Sequence, residues 1–266
     1  MAQVLFHSCT TMATMVTFRR AVGHRQVRLI AFGWLGFVGE NLVMSHNRDL
    51  IISNYGDGVY HGVYNTLSTV ACGCIAYGFL KGRNRGPRIR FDGVGLGARC
   101  AGFVLMGTGL GLASQMFPRI RSPVVADTSS AESSSAPAKF RCPMDFRPVE
   151  APADGVYGVV HITRHPMLWS MGLSGLGLAA VSTYATNAVM WSMPIVMTMI
   201  GGAHQDYRFR RGIGSVLTPE VDAKTSHIPF LALATGAASS TAFFEEMKWE
   251  NLGCAFALAG IKVLRV

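Results

Sequence analysis

This sequence predicts an all-α fold, a polytopic integral membrane bundle of five to seven transmembrane helices, on three observations. Half of its 266 residues are hydrophobic and only 15% are charged, against about a quarter charged in an ordinary soluble domain. Mean hydropathy is +0.30, and the charges gather between apolar runs instead of spreading along them, as membrane spans require. Glycine, at 30 residues, falls within those runs, where small residues let helices approach closely. The length suits one compact bundle and does not require a second domain.

The first stretch, 1–28, is a basic N-terminal segment. It carries Arg19, Arg20, Arg25 and Arg28, and no acidic residue precedes Glu40. It reads equally as an organellar transit peptide or as the positive flank of the first helix. A single membrane domain is expected over 29–266. Apolar runs predict spans at about 29–45, 63–80, 94–117, 167–185 and 187–203. The shortest would rise only about 26 Å, slightly less than the hydrocarbon core. The fourth and fifth are separated only by Thr186, Asn187 or close neighbours, which predicts a tight antiparallel hairpin. Two weaker segments follow, 231–244 and 252–266, and one of them is expected to cross. The serine-rich stretch 122–139 is a polar low-complexity loop that needs no regular structure. The denser run Arg141 to Arg147 is expected on the protein surface or at the membrane interface.

The net charge is +9, from 24 Lys and Arg against 15 Asp and Glu. No nucleic-acid partner is expected, because the basic residues flank apolar runs and form no basic and aromatic groove. The six cysteines make no C-x-x-C, and buried free thiols are the expectation. Alternating the spans puts the N-terminus and the 81–93 loop on one side, with Lys81, Arg83, Arg85, Arg88 and Arg90. That side should face cytosol, matrix or stroma; with the transit-peptide reading of 1–28, the expected location is an organellar membrane, the mitochondrial inner membrane or a plastid. The other side receives 46–62, 118–166 and 204–250.

All the chemically suggestive residues fall on that second side. His161-Ile-Thr-Arg-His-Pro-Met-Leu-Trp169 runs straight into the fourth span, with proline where a first helical turn tolerates its missing N–H. His165 begins the fourth span and Asp206 ends the fifth, so a hairpin sets them side by side. A carboxylate there would hold the Arg164 guanidinium and orient the imidazole. His165, Arg164 and Asp206 are therefore the candidate catalytic residues. Interface charges also cap and anchor helices, the role expected for Arg210 and Arg211. Glu40 and Asn41 lie near membrane depth, where polar groups are costly unless paired. His46, His61, His161, His165 and His204 share the face, whereas His7, His24 and His227 are expected on polar surface. No H-E-x-x-H motif occurs, so any metal site must be assembled from separate spans. Gly93-Val-Gly95-Leu-Gly97 lacks the strand and helix of a dinucleotide fingerprint.

At these residues the chain resembles the NnrU family, whose eukaryotic relative is the plastid 15-cis-zeta-carotene isomerase. Ile162-Thr-Arg-His-Pro-Met-Leu-Trp169 carries the central motif. Gly202-Ala-His-Gln-Asp206-x-Arg208, followed by Thr225-Ser-x-x-Pro229-Phe230, carries the second. Asn47-Arg-Asp-Leu50 and Gly56-Asp-Gly-Val-Tyr60 fit at the right spacing. The resemblance spans roughly 35–80 and 155–230. It implies a b-type haem held by histidines and redox-controlled cis–trans isomerisation of a polyene, as in carotenoid biosynthesis. His165 would be the metal ligand, Arg164 would meet a propionate, and Asn41, His46 and Arg208 complete the cofactor-binding candidates. The family's other ligand histidine falls on Asn41, and a neutral amide is a poor iron ligand. His46 lies five residues later, on a different part of the helix surface. A looser similarity is to membrane isoprenylcysteine methyltransferases and sterol reductases, which also set Arg-His-Pro before a helical hairpin. Two functions stay open. One is a haem-associated redox protein or isomerase relative. The other is a non-catalytic subunit of an organellar respiratory or photosynthetic complex that has lost haem ligation. The partners implied are membrane lipid and, in the second case, other subunits.

Overall fold

Helix follows helix along the chain, because an apolar segment in hydrocarbon must close its backbone hydrogen bonds within itself. The computed structural model describes residues 19–91, 93–120, 124–125, 139–140, 144–145 and 155–266. Its helices are α1 (Arg25–His46), α2 (Arg48–Tyr55), α3 (Asp57–Gly82), α4 (Leu96–Gln115), α5 (Pro166–Ala180), α6 (Ala185–Arg210), α7 (Pro219–Lys224), α8 (Leu231–Ala234), α9 (Ser240–Glu246) and α10 (Trp249–Leu264). The fold is all-α apart from two-residue strands flanking the serine-rich loop, where Arg119–Ile120 pairs with Met144–Asp145 and Val124–Val125 with Lys139–Phe140. The rest of 122–139, most of Arg141 to Arg147 and the first eighteen residues lie outside the described residues.

All five expected spans are helical. Among the described residues, α1, α3 and α4 are the three helices long and apolar enough to cross a membrane. The count of five to seven is not reached on that criterion. Helices α5 and α10 have 15 and 16 residues and rise only about 22–24 Å, while α6 ends in Asp206, Arg208 and Arg210. Of the two weaker segments, 252–266 falls largely in α10. The other, 231–244, breaks into α8 and the start of α9, with Gly236 at positive φ between them. The α5–α6 turn comes earlier than the sequence suggests, at Val181 to Tyr184. Ser182 turns its hydroxyl back to the Leu178 carbonyl at 2.7 Å, a local bond that competes with helix continuation. Ile89 N–H donates to the Thr183 carbonyl and Ala185 N–H to the Pro87 carbonyl, both at 2.9 Å, fixing the turn against the basic loop.

The long helices form a row of neighbours in the order α3, α1, α6, α5, α4, α10. Glycines line the seams as the glycine-rich runs imply. A Cβ on Gly33 would meet Ile75 of α3 at 2.8 Å, and one on Gly177 would meet Met106 of α4 at the same distance. Val94, Met106, Val181, Ala259 and Val263 pack at the basic end. Leu112, Ile162, Trp169 and Met247 pack at the opposite end. Buried Asn251 ties α10 to the end of α4, donating to the carbonyls of Ser114 and Pro118 and accepting from Ile120 N–H. Phe32, Leu35, Val43 and Val70 point outward and are more than half exposed, an apolar skin suited to lipid. The cysteine expectation is corrected here. Cys72, Cys100 and Cys254 are free but exposed, because a membrane bundle places apolar residues on its outside as well as in its core.

Candidate functional site

Two sites, not one, occupy the end of the bundle opposite the basic loop. The first is built on the strip 162–165, which enters α5 through Pro166 at its first turn. This strip is stitched to 225–230: Arg164 N–H donates to the Ser226 carbonyl at 3.0 Å, and Phe230 N–H to the Ile162 carbonyl at 2.9 Å. Thr163 Oγ1 donates to the His227 carbonyl at 2.6 Å. The hairpin then sets His165 Nε2 2.6 Å from Asp206 Oδ1, with the two side chains 7% and 5% exposed. Arg164 lies 3.6 Å from Asp206 Oδ2, but its close partner is Asp222 of α7, at 2.6 Å. Arg164 also donates to the Thr225 carbonyl. Arg210 grips both oxygens of Asp222, at 2.6 and 3.0 Å. Hydrogen bonding from Arg210 first, and then from Arg164, holds the Asp222 carboxyl down at about 2.

Two guanidiniums thus face two carboxylates, with an imidazole against the deeper one. Such a network is costly to break, since removing one member strands a buried charge. The expected polar-surface setting of His227 is corrected. Its ring packs 5.3 Å from His165 and 5.6 Å from Trp169 in a space that only a glycine at 202 leaves open. Burial, followed by the neighbouring His165, pushes its pKa below the ordinary histidine value. The strip that fixes 225–230 carries His227 inward. His161, four residues before His165, turns to Glu246 of α9 instead, at 3.0 Å.

The second site is a cleft of about 340 Å³ between α1, α3 and α6. Asn41, Arg48, Tyr60, Tyr64, His204 and Arg208 are among its lining residues. Arg208 donates to Ser45 Oγ at 2.7 Å, and Arg48 lies 5.8 Å over the Tyr60 ring. Neither guanidinium has a carboxylate partner among the described residues. His204 Nε2 is buried without a hydrogen-bond partner. Asn41 is fully engaged. Its Nδ2 donates to the Phe37 carbonyl at 2.8 Å and to Glu40 Oε1 at 3.0 Å, and its Oδ1 accepts from Tyr64 Oη at 2.7 Å. His46 is exposed, 5.7 Å from the His204 ring, and lies outside the lining.

The expected site residues therefore divide. Arg164, His165 and Asp206 meet on the α5 side of α6, while Asn41 and Arg208 meet on the α1–α3 side. Asp206 and Arg208 are two residues apart, about 200° around a helix, so they face opposite ways. The sequence reading missed Asp222 and His227. The Pro229-Phe230 part of the second motif was the available signal, because it anchors the segment carrying both. Among the described residues no three His, Cys, Asp or Glu side chains cluster as a metal site. The haem ligation expected of His165 does not fit its surroundings, since its Nε2 is taken by Asp206 and it lines no part of the cleft. At the cleft the donor set is suitable: His204 has a ring nitrogen without a partner, and Arg48 and Arg208 suit carboxylates.

The family model for NnrU protein matches residues 29–247. No curated protein and no solved structure matches the chain.

Proposed function

The chain belongs to the NnrU family, and from that membership we propose that it is a membrane-embedded binding protein for an anionic amphiphile. The occupant lies in the α1–α3–α6 cleft, and haem b is the one that the family resemblance implies. The observation that carries this reading is the pair of guanidiniums, Arg48 and Arg208, lining a concave site with no carboxylate among the described residues to neutralise them. An uncompensated pair of this kind favours a ligand that brings its own negative charge. His204 supplies the imidazole, in place of His165, and Leu42 and Met197 in the cleft lining supply apolar contact. A haem bound there would provide one-electron redox chemistry. The chain's own contribution is to bind and orient it, with the Arg164–Asp206–Asp222 cluster holding α6 in place. The arginine-rich end would face the matrix or stroma of an organelle, and the outward apolar faces would meet lipid.

A visible spectrum of the full chain purified from membranes, oxidised and reduced, tests this reading. The expected result is a Soret band that His204→Gln abolishes, His165→Gln retains and the double change Arg48→Gln with Arg208→Gln weakens. A band lost with His165→Gln and kept with His204→Gln would overturn the assignment. A colourless protein would remove haem altogether and leave the non-catalytic subunit reading. That reading draws support from Asn41, whose amide is spent wholly within the protein.

A further inference from the structure

The end of the bundle opposite the cleft carries charge of one sign. Loop 83–91 is fixed there against the α5–α6 turn, with Ile89 N–H on the Thr183 carbonyl and Ala185 N–H on the Pro87 carbonyl. Gly82 lies against Gln26 near the start of α1, and Val263 of α10 packs with Val94 beside the start of α4. These contacts gather the cations of separate segments at one level. They are Arg25 and Arg28 of α1, Lys81 and the arginines of 83–90, Arg99 of α4, and Lys262 with Arg265 at the end of α10. All but Arg90 and Arg99 are exposed, and none forms an ion pair with a carboxylate among the described residues. Of the chain's 15 acidic residues only Asp92 falls, by sequence, in 1–39, 81–99 or 255–266.

Membrane orientation accounts for the cations but not for the missing acids, because the positive-inside bias counts Lys and Arg while Asp and Glu contribute little. Like charges held close together repel and destabilise the folded chain. The exclusion of acids therefore favours an external partner that supplies the negative charge. Its class follows from what stands beside the cations. Leu80 precedes Lys81, Phe91 follows Arg90, Leu264 precedes Arg265 and Leu96 opens α4, each of the four 72% exposed or more. Large apolar side chains alternating with basic ones suit a layer that is hydrocarbon beneath and anionic above, where basic side chains reach the headgroups on apolar stems. A soluble acidic polypeptide would answer the charge and leave these apolar groups in water. A zwitterionic headgroup brings no net charge. We propose that this end binds anionic phospholipid, with its arginines on the headgroup phosphates and Leu80, Phe91, Leu96 and Leu264 among the acyl chains. The surface is independent of what occupies the cleft.

Thermal unfolding of the full chain in nanodiscs tests it, with phosphatidylcholine replaced stepwise by phosphatidylglycerol. A ligand that binds only the folded state raises Tm as its sites fill, so wild type should show a saturable rise. The side chains of Arg28, Arg83 and Arg85 make no hydrogen bond or ion pair among the described residues, and the three are replaced together. Each cation near an anionic surface contributes on the order of fivefold in affinity. Arg28→Gln with Arg83→Gln and Arg85→Gln should lose on the order of 100-fold and with it the rise, while matching or exceeding wild type in pure phosphatidylcholine. The same three positions changed to lysine should keep the rise. If phosphatidylglycerol leaves wild type unchanged, or raises the glutamine variant as much, the proposal fails. A rise produced by inorganic phosphate or by polyglutamate, with none from phosphatidylglycerol, would assign the surface to a free anion or an acidic polypeptide and overturn it as well.

Discussion

Asp206→Asn is the sharpest probe of the buried cluster. The carboxylate is 5% exposed and accepts a charge-assisted bond from His165 at 2.6 Å, with Arg164 3.6 Å away. Arg164 keeps Asp222 and the Thr225 carbonyl in the variant, and Arg210 keeps Asp222. The loss therefore falls on His165 and on the charge balance, since two guanidiniums would then face one carboxylate. A hydrogen bond to a charged group contributes about 1.5–3 kcal/mol, and stranding a buried charge brings the total to about 3–5 kcal/mol. For a chain of this size about 2–4 °C of Tm is lost per kcal/mol, so a fall of roughly 6–20 °C is expected. The assay is thermal unfolding of the purified full chain, followed by far-ultraviolet circular dichroism. A double-mutant cycle with His165→Ala should give a coupling of about 1.5–3 kcal/mol. A fall below about 2 °C, or additive effects in the cycle, would refute the assignment of these two side chains as a buried pair.

Gly202→Ala places a methyl group inside the His227 ring, and overpacking of this kind costs about 1–3 kcal/mol. His227→Ala in the same chain should recover much of that loss in Tm. Asp222 is held at about 2, against 3.8 for a free aspartate. Its contribution is therefore complete above pH 4 and is lost as pH falls through about 2. The carboxylate is 28% exposed, so the contribution is about 1–2 kcal/mol after solvent screening. Asp222→Asn should remove this acid-side slope from a titration of Tm, and an unchanged slope would assign it elsewhere. Asn251→Ala deletes three bonds that hold Ile120, Ser114 and Pro118. It should cost about 2–3 kcal/mol and speed proteolysis after Phe117, with the cleft unaffected.

How much of this was legible before the structure depends on which physical signal carried it. The helices were legible because long apolar runs in a membrane-like chain leave the backbone little choice but helix, whereas the number that cross was not, since only α1, α3 and α4 are long and apolar enough among the described residues. The His165–Asp206 pair was legible because a short turn forces the two ends of a hairpin together. What the linear sequence concealed is rotation. Asp206 and Arg208 read as one motif, yet helical geometry sends them to separate sites, and nothing in their spacing says which face meets α5. The departure at position 41 also looks different in three dimensions. In sequence it is a lost ligand. In the fold, the Asn41 amide donates to Glu40 and accepts from Tyr64, and Ser68 completes the ring of bonds around Glu40. These four positions satisfy one another across the α1–α3 seam, apart from the one carboxylate oxygen of Glu40. Asparagine at 41 is therefore better understood as one part of a polar seam than as a gap in a haem site. A histidine restored there by Asn41→His would have to break the Tyr64 or Glu40 bond before it could turn toward any ligand in the cleft.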